Sequence, residues 1–254
     1  ISIDGFYPNL NDSYFSYELK NDLINSKYHV LGLEPKSVLQ GKDSGLRKYT
    51  SGLMTLIFDS GQIGPNHQPG HAHADSLTFC LYYDSSPMIV DTGTSVYENT
   101  ERRYLERSTE SHNTIKYKNL NSSEVWSSFR VGRIAKTFIE KEGENFISSY
   151  HNGYKFLDLI HYRSINVKNG FFQINDTLNK NVEVTSYLHF HPKVKIEVHK
   201  DRLILNDSIL IDLDNFMEFK LKPYMYAEEF NKLEEGMKFV GKLYKYSRFV
   251  IKQL

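Results

Sequence analysis

The stretch Thr185-Ser186-Tyr187-Leu188-His189-Phe190 puts Ser186, Leu188 and Phe190 on one side of an extended chain and Tyr187 and His189 on the other, since strand side chains alternate with a period of two. From Leu46 onward, short apolar and aromatic runs recur every 8 to 12 residues with Gly, Asn, Asp or Ser between them. Examples are Leu53–Phe58, Ser76–Tyr83, Met88–Val90, Arg133–Ile139, Phe146–Tyr150, Phe171–Ile174, Val184–Phe190, Val194–Val198, Arg202–Leu205, Ser208–Ile211, Glu218–Leu221 and Tyr246–Ile251. That spacing belongs to an all-β sandwich or barrel. The turns agree: Asp84-Ser85-Ser86-Pro87 joins two runs, and Val198 to Arg202 joins two more.

Residues 1–44 differ. Tyr14 to Asn25 reads as one short helix, and Gly32 to Gly45 as a polar connector carrying Pro35, Gly41 and Gly45. The expected division is therefore 1–44, a linker or the tail of another domain, and 45–254, the β domain. The chain opens at Ile1 rather than Met, as expected of a fragment or a mature form stripped of its targeting signal.

With 31 basic and 31 acidic residues in 254, the formal charge is zero. That argues against a nucleic-acid or anionic-membrane partner, so an anionic ligand must meet a local patch. No run of about 18 apolar residues suggests membrane insertion. Aromatic residues at 14% supply a core. The single cysteine, Cys80, makes neither an internal disulfide nor a Cys-rich zinc site, so any metal would be held by His and carboxylates.

One stretch departs from ordinary strand sequence: Gly70-His71-Ala72-His73-Ala74-Asp75, preceded by His67. If extended, His71, His73 and Asp75 share a face. Such a cluster suits a metal or proton transfer; the plainer alternative is an exposed polar loop. Asp91 closes the apolar run Ile89-Val90, where a buried carboxylate needs a cation or strong donors. His112 lies in Ser111-His112-Asn113-Thr114. His73, Asp91 and His112 together would satisfy zinc. A simple hairpin about Asp84–Pro87 pairs Asp91 with Cys80, however, so the GHAHAD stretch must fold back over the sheet as a loop.

The run from Ser51 to Gly132 contains SGLMTLIFDSG, GHAHADSLTF, PMIVDTGT, RRYLERSTESHNTI and SEVWSSFRVG. With these motifs it resembles the C-terminal β-sandwich domain of the heparinase II/III-like polysaccharide lyases, and His151 to Tyr154 and His161 to Arg163 follow the same pattern. The resemblance implies a large antiparallel, supersandwich-like β-sandwich. It implies a structural Zn²⁺ held by His73, Asp91 and His112, with His71 at the catalytic cleft. It also implies a cleft-facing tyrosine after the VDTG turn, for which Tyr97 and Tyr104 are the candidates. The remaining catalytic groups of the family sit in an N-terminal (α/α) toroid, absent here apart from what residues 1–44 contribute.

The implied reaction is β-elimination on a uronate-containing polysaccharide: the C5 proton is removed and the 4-O-linked sugar expelled. That chemistry needs a base, an acid and a group that neutralises the carboxylate. The expected partners are an acidic polysaccharide and the toroid of the same parent, and the resemblance implies a bacterial periplasm or cell envelope. Two alternatives stand beside this: a non-catalytic glycan-binding or structural sandwich, and a cupin-like metalloenzyme. The last lacks the Glu after its HxH and the later Gly-Pro-Gly turn. Among the remaining candidates, Trp126 reads as a core anchor ahead of a sugar platform, His189 and His191 as a solvated strand face ahead of a metal-ligand pair, and Arg102, Arg103 and Arg107 as a basic cluster that either meets uronate carboxylates or pairs with Glu101, Glu106 and Glu110.

Overall fold

A computed structural model describes residues 8–13, 44–65 and 67–254. The helix expected over Tyr14–Asn25 and most of the connector from Gly32 lie outside those residues. In chain order the strands begin with β1 (Leu46–Ser51), β2 (Met54–Asp59), β3 (Phe79–Tyr83) and β4 (Ser86–Ile89). After helix α1 (Glu101–Arg107) come β5 (Ile115–Lys116), β6 (Val125–Trp126), β7 (Arg130–Val131), β8 (Thr137–Gly143), β9 (Phe146–His151), β10 (His161–Lys168) and β11 (Phe171–Leu178). The last are β12 (Glu183–His189), β13 (Ile196–Val198), β14 (Arg202–Leu205), β15 (Ile209–Asp214), β16 (Glu218–Glu229), β17 (Lys232–Tyr244) and β18 (Tyr246–Gln253).

The fold is all-β, as its period-two patterning predicts. One layer is an eight-stranded sheet in the order β13-β14-β15-β18-β11-β10-β9-β8. Facing it are two four-stranded sheets, β1-β2-β3-β4 and β16-β17-β12-β5. These two join where Ile89 bridges Phe190 and the Val90 N–H donates to the His189 carbonyl at 2.9 Å. Between the layers, Leu56, Phe58, Phe79, Leu188, Phe190 and Phe239 from one side meet Ile165, Phe172, Ile174, Ile211, Phe249 and Ile251 from the other. Burying such side chains contributes about 1.5–3 kcal/mol each, and this interlayer core is what makes the sandwich.

Asp84 and Ser85 form the two-residue turn between β3 and β4, with φ of +45° and +62°, as a primed hairpin turn requires. A bulge then shifts the register so that Leu81 pairs with Ile89, and β4 ends there. Asp91 therefore lies beyond the ladder, not paired with Cys80 as a regular hairpin would have it. Three long strands, β1, β10 and β17, hold none of the runs named above as examples. In β17 the glycines and charges hide the alternation; Gly236 stands 2.8 Å, measured from an added Cβ, from the Tyr224 ring. Helix α1 was also unanticipated. It starts where the Thr100 hydroxyl caps the Arg103 N–H.

Candidate functional site

The site lies on the outer face of the β1–β4 sheet. Because Leu56, Phe58, Phe79 and Leu81 point inward, Ile57, Cys80 and Tyr82 point outward, where Leu10 packs on them. Residues 60–65 and 67–78, between β2 and β3, leave the ladder and fold back over this face, as the sequence required. GHAHAD is a turn-containing loop rather than a strand: His71 and His73 both reach the Asp12 carboxylate, but His71 is largely exposed, whereas His73 and Asp75 are buried. Loop packing decides this. The Ala74 N–H donates to the Arg107 carbonyl of α1 at 2.9 Å, and the His73 N–H to Asn11 Oδ1 at 3.0 Å.

His73, Asp91 and His112 converge from three separate segments, all buried. His112 Nδ1 donates to Asp91 Oδ2 at 2.7 Å, and the rings of His73 and His112 lie 5.3 Å apart. His73 Nδ1 and His112 Nε2 are buried and have no hydrogen-bond partner. Asp91 Oδ1 receives the Gly93 N–H at 3.4 Å. Among the described residues, no three His, Cys, Asp or Glu side chains already stand in a metal-ligating arrangement. The surroundings are rich in carboxylate. Burial, followed by the neighbouring carboxylates Asp59 and Asp91, pushes Asp75 up to about 8 against the opposing pull of His112. Burial alone would lower His112, but Asp91 above all raises it.

The residue that sequence reasoning missed is Asp12. Its carboxylate, 4% exposed, accepts from His71 Nδ1 at 2.7 Å, His73 Nε2 at 2.9 Å and Thr94 Oγ1 at 3.1 Å. It also receives both Nη groups of the fully buried Arg103, Nη2 at 2.7 Å. Burial by itself would raise its pKa, but hydrogen bonds from His73 and Arg103 hold it well below the carboxylate range. Nothing in its local sequence marks it, because its partners lie 59 to 91 positions away.

His71 sits in an aromatic wall. Its ring is 5.9 Å from Tyr97 and 5.5 Å from Phe129, and Tyr97 in turn is 5.2 Å from Phe230. Of the two tyrosine candidates, Tyr97 is thus the one beside His71, while Tyr104 stands exposed on α1. Burial and the Asp12 charge raise the Tyr97 pKa, so its hydroxyl stays protonated. Trp126 is 52% exposed and is not a core anchor. Nor do His189 and His191 line a solvated face: both are buried, against Tyr224 and Tyr226 of β16. The arginine cluster divides. Arg102 pairs with Glu106 at 2.7 Å, Arg103 with Asp12, and Arg107 donates to the carbonyls of Ala72 and Ser127.

Behind the site runs a second buried network. The Gly153 N–H donates to His151 Nδ1, His151 Nε2 donates to His161 Nδ1 at 3.1 Å, and His161 Nε2 donates to Asp176 at 2.7 Å. Arg163 forks onto Asp176 and gives Nη1 to the carbonyls of Leu77 and Asn113, both at 2.6 Å. The Asn113 amide then donates to the carbonyls of Phe79 and Val90. The eight-stranded sheet thus braces the segment that carries His112.

The family profile described as Heparinase II/III-like, C-terminal, matches residues 34–234. Among solved structures, heparinase III, the BT4657 gene product, superposes with a TM-score of 0.76 at 17% identity, covering 100% of this chain and 44% of that one. Heparan sulfate lyase HepC from Pedobacter heparinus gives 0.75 at 18% identity with the same coverage. A further heparinase III gives 0.72 at 15%, covering 98% and 44%. At these identities the likeness shows the fold, and this chain spans less than half the length of those proteins. No curated protein sequence matches it.

Proposed function

We propose a function from the premise that this chain belongs to the heparinase II/III-like family, as its C-terminal domain: it is the β-sandwich half of a lyase that cleaves a uronate-containing polysaccharide by β-elimination, with an N-terminal toroid completing the cleft. The observation that carries this is an exposed imidazole, His71, tethered through Nδ1 and walled by Tyr97 and Phe129. The side chain is largely exposed, and an acceptor on Nδ1 leaves Nε2 as the nitrogen able to take a proton. A lone pair there suits removal of the C5 proton, and the protonated Tyr97 hydroxyl suits donation to the leaving oxygen. Each positioned group is worth about 10²–10⁴-fold. Tyr104 is held as the second tyrosine candidate. Phe129, Phe230 and Trp126 offer apolar faces to a sugar ring, which also supports the alternative of a glycan-binding module without catalysis.

The buried donors fit a zinc ion. His73 Nδ1 lacks a partner, the residue types are those zinc takes, and His112 meets Asp91 through Nδ1 and Oδ2, a hydrogen bond that an ion shared by the two would replace. These residues would hold the ion, which would supply a structural clamp on the loop bearing His71 and no chemistry toward the sugar. A periplasmic or cell-envelope location belongs to the same proposal.

Elemental analysis of the purified chain, followed by unsaturated-product absorbance from uronate polymers, tests this in the chain alone and in the chain joined to its N-terminal domain. One zinc per chain is expected, with turnover only in the longer protein. His73→Ala should lose metal and stability; His71→Ala should keep both and abolish turnover. Vigorous cleavage by the chain alone, or equal loss of folding in both variants, would contradict the proposal.

A further inference from the structure

Asp12 stands upstream of the residues that the family profile matches, yet its carboxylate is the most heavily engaged group around His71. Oδ2 accepts from His71 Nδ1 and Arg103 Nη2; Oδ1 accepts from His73 Nε2, Thr94 Oγ1 and Arg103 Nη1. Arg103 is itself immobile. Its Nε donates to the Ser128 carbonyl at 3.0 Å, and its guanidinium lies 5.1 Å from the centre of the Tyr97 ring and 5.4 Å from that of Phe129. The backbone on either side is pinned as well: the Asn9 amide donates to the Ala227 carbonyl, Asn11 Oδ1 receives the His73 N–H, and the Ser13 hydroxyl donates to the Leu10 carbonyl at 2.6 Å. A carboxylate with five donors on two oxygens cannot rotate away from His71.

We propose that Asp12 is a positioning residue for His71: by accepting from Nδ1 it holds the ring as the Nδ1–H tautomer and turns the Nε2 lone pair outward. The hydrogen bond made by one imidazole nitrogen sets the state of the other. This rests on the reading of His71 as the proton-transfer group. It also means that the segment before the sandwich supplies part of the site, so truncation ahead of the family-matched region removes a working side chain.

The tautomer is measured directly, by ¹⁵N NMR of the His rings in the unmodified chain at a pH where His71 is neutral, with His71 assigned through His71→Ala. An Nδ1–H, bare-Nε2 signature is expected, collapsing to a tautomer mixture in Asp12→Ala. If the stranded guanidinium unfolds that variant, Asp12→Ala/Arg103→Met is read instead. An Nε2–H signature in the unmodified chain would overturn the proposal whatever the activity. In the longer lyase, Asp12→Ala should lower kcat by at least about tenfold and by no more than the about 10²–10⁴-fold that a positioned proton-transfer group itself contributes. KM should change by less than about twofold, and nothing should be lost beyond the His71→Ala level. Fully additive losses would overturn the positioning role. An undiminished kcat in His71→Ala would instead overturn the reading of His71 itself, a result that the NMR signature keeps separate.

Discussion

Replacing Arg163 by Met tests whether the buried network behind the site holds the two layers together. The guanidinium is fully buried, donates to Asp176 through Nε at 2.7 Å and Nη2 at 2.9 Å, and serves the carbonyls of Leu77 and Asn113 through Nη1. Methionine keeps much of the stem's volume but strands the Asp176 carboxylate with His161 as its remaining side-chain donor. Breaking a buried ion pair from one side costs about 3–5 kcal/mol. Each of the two carbonyls losing its donor adds about 1 kcal/mol. The expected loss is therefore about 5–7 kcal/mol, comparable with the whole stability of many domains. Asp176→Leu should lose about 3–5 kcal/mol for the converse reason, a stranded guanidinium. The double variant, with no unpaired ion of the pair left inside, should lose less than either single change. Urea unfolding followed by far-ultraviolet circular dichroism gives all three values. A loss below about 1 kcal/mol for Arg163→Met, or a double variant that loses the sum of the singles, would refute the assignment of this network as a coupled brace.

Acid should weaken the fold well before the Asp176 carboxylate titrates. Burial lowers the pKa values of His151, His161 and His189, so their contribution is complete above the unfolded value of about 6.5 and is lost as pH falls below it toward their folded values. Each gives up at most about 1.4 kcal/mol per pH unit. Asp176, held low by Arg163 and His161 in spite of burial, has the opposite charge logic but the same direction. Its stabilisation is present above about 3.9 and disappears only as pH drops through its depressed folded value. Urea midpoints should accordingly fall from about pH 7.5 to about pH 5.5, less steeply than the three imidazoles alone would give because the raised Asp75 and His112 gain stability over the same window; a midpoint that rises on acidification would contradict neutral buried imidazoles. Gly93→Ala should destabilise the chain by more than about 1–2 kcal/mol, the usual cost of a left-handed backbone to a residue with a Cβ. Here φ is +74° and an added Cβ would lie 2.1 Å from the Ala227 carbonyl oxygen. Thermal melting reads this, and an unchanged midpoint would show that the turn after Asp91 shifts freely.

Much of the architecture is legible in short windows of sequence. Alternation in Val184–Phe190, Phe171–Ile174 and Arg202–Leu205 places strands where β12, β11 and β14 form, because a period of two is a property of the extended chain itself. The clustering of His71, His73, Asp91 and His112 as notable residues is equally local, since small neighbours and an isolated carboxylate after an apolar run are visible without a fold. Which face is covered is not local. His189 and His191 look solvated until β16 lays Tyr224 and Tyr226 over them, and Trp126 looks buried until its short strand is left at the surface. Strand β17 escapes notice because its glycines are demanded by neighbouring rings rather than by its own pattern. Asp12 is the extreme case: an ordinary aspartate in a polar segment becomes the shared acceptor of two histidines and a buried arginine. Alternation and turn chemistry act between neighbours along the chain and so can be read from it. Burial and ion pairing act between segments tens to hundreds of residues apart, and only the packed layers decide them.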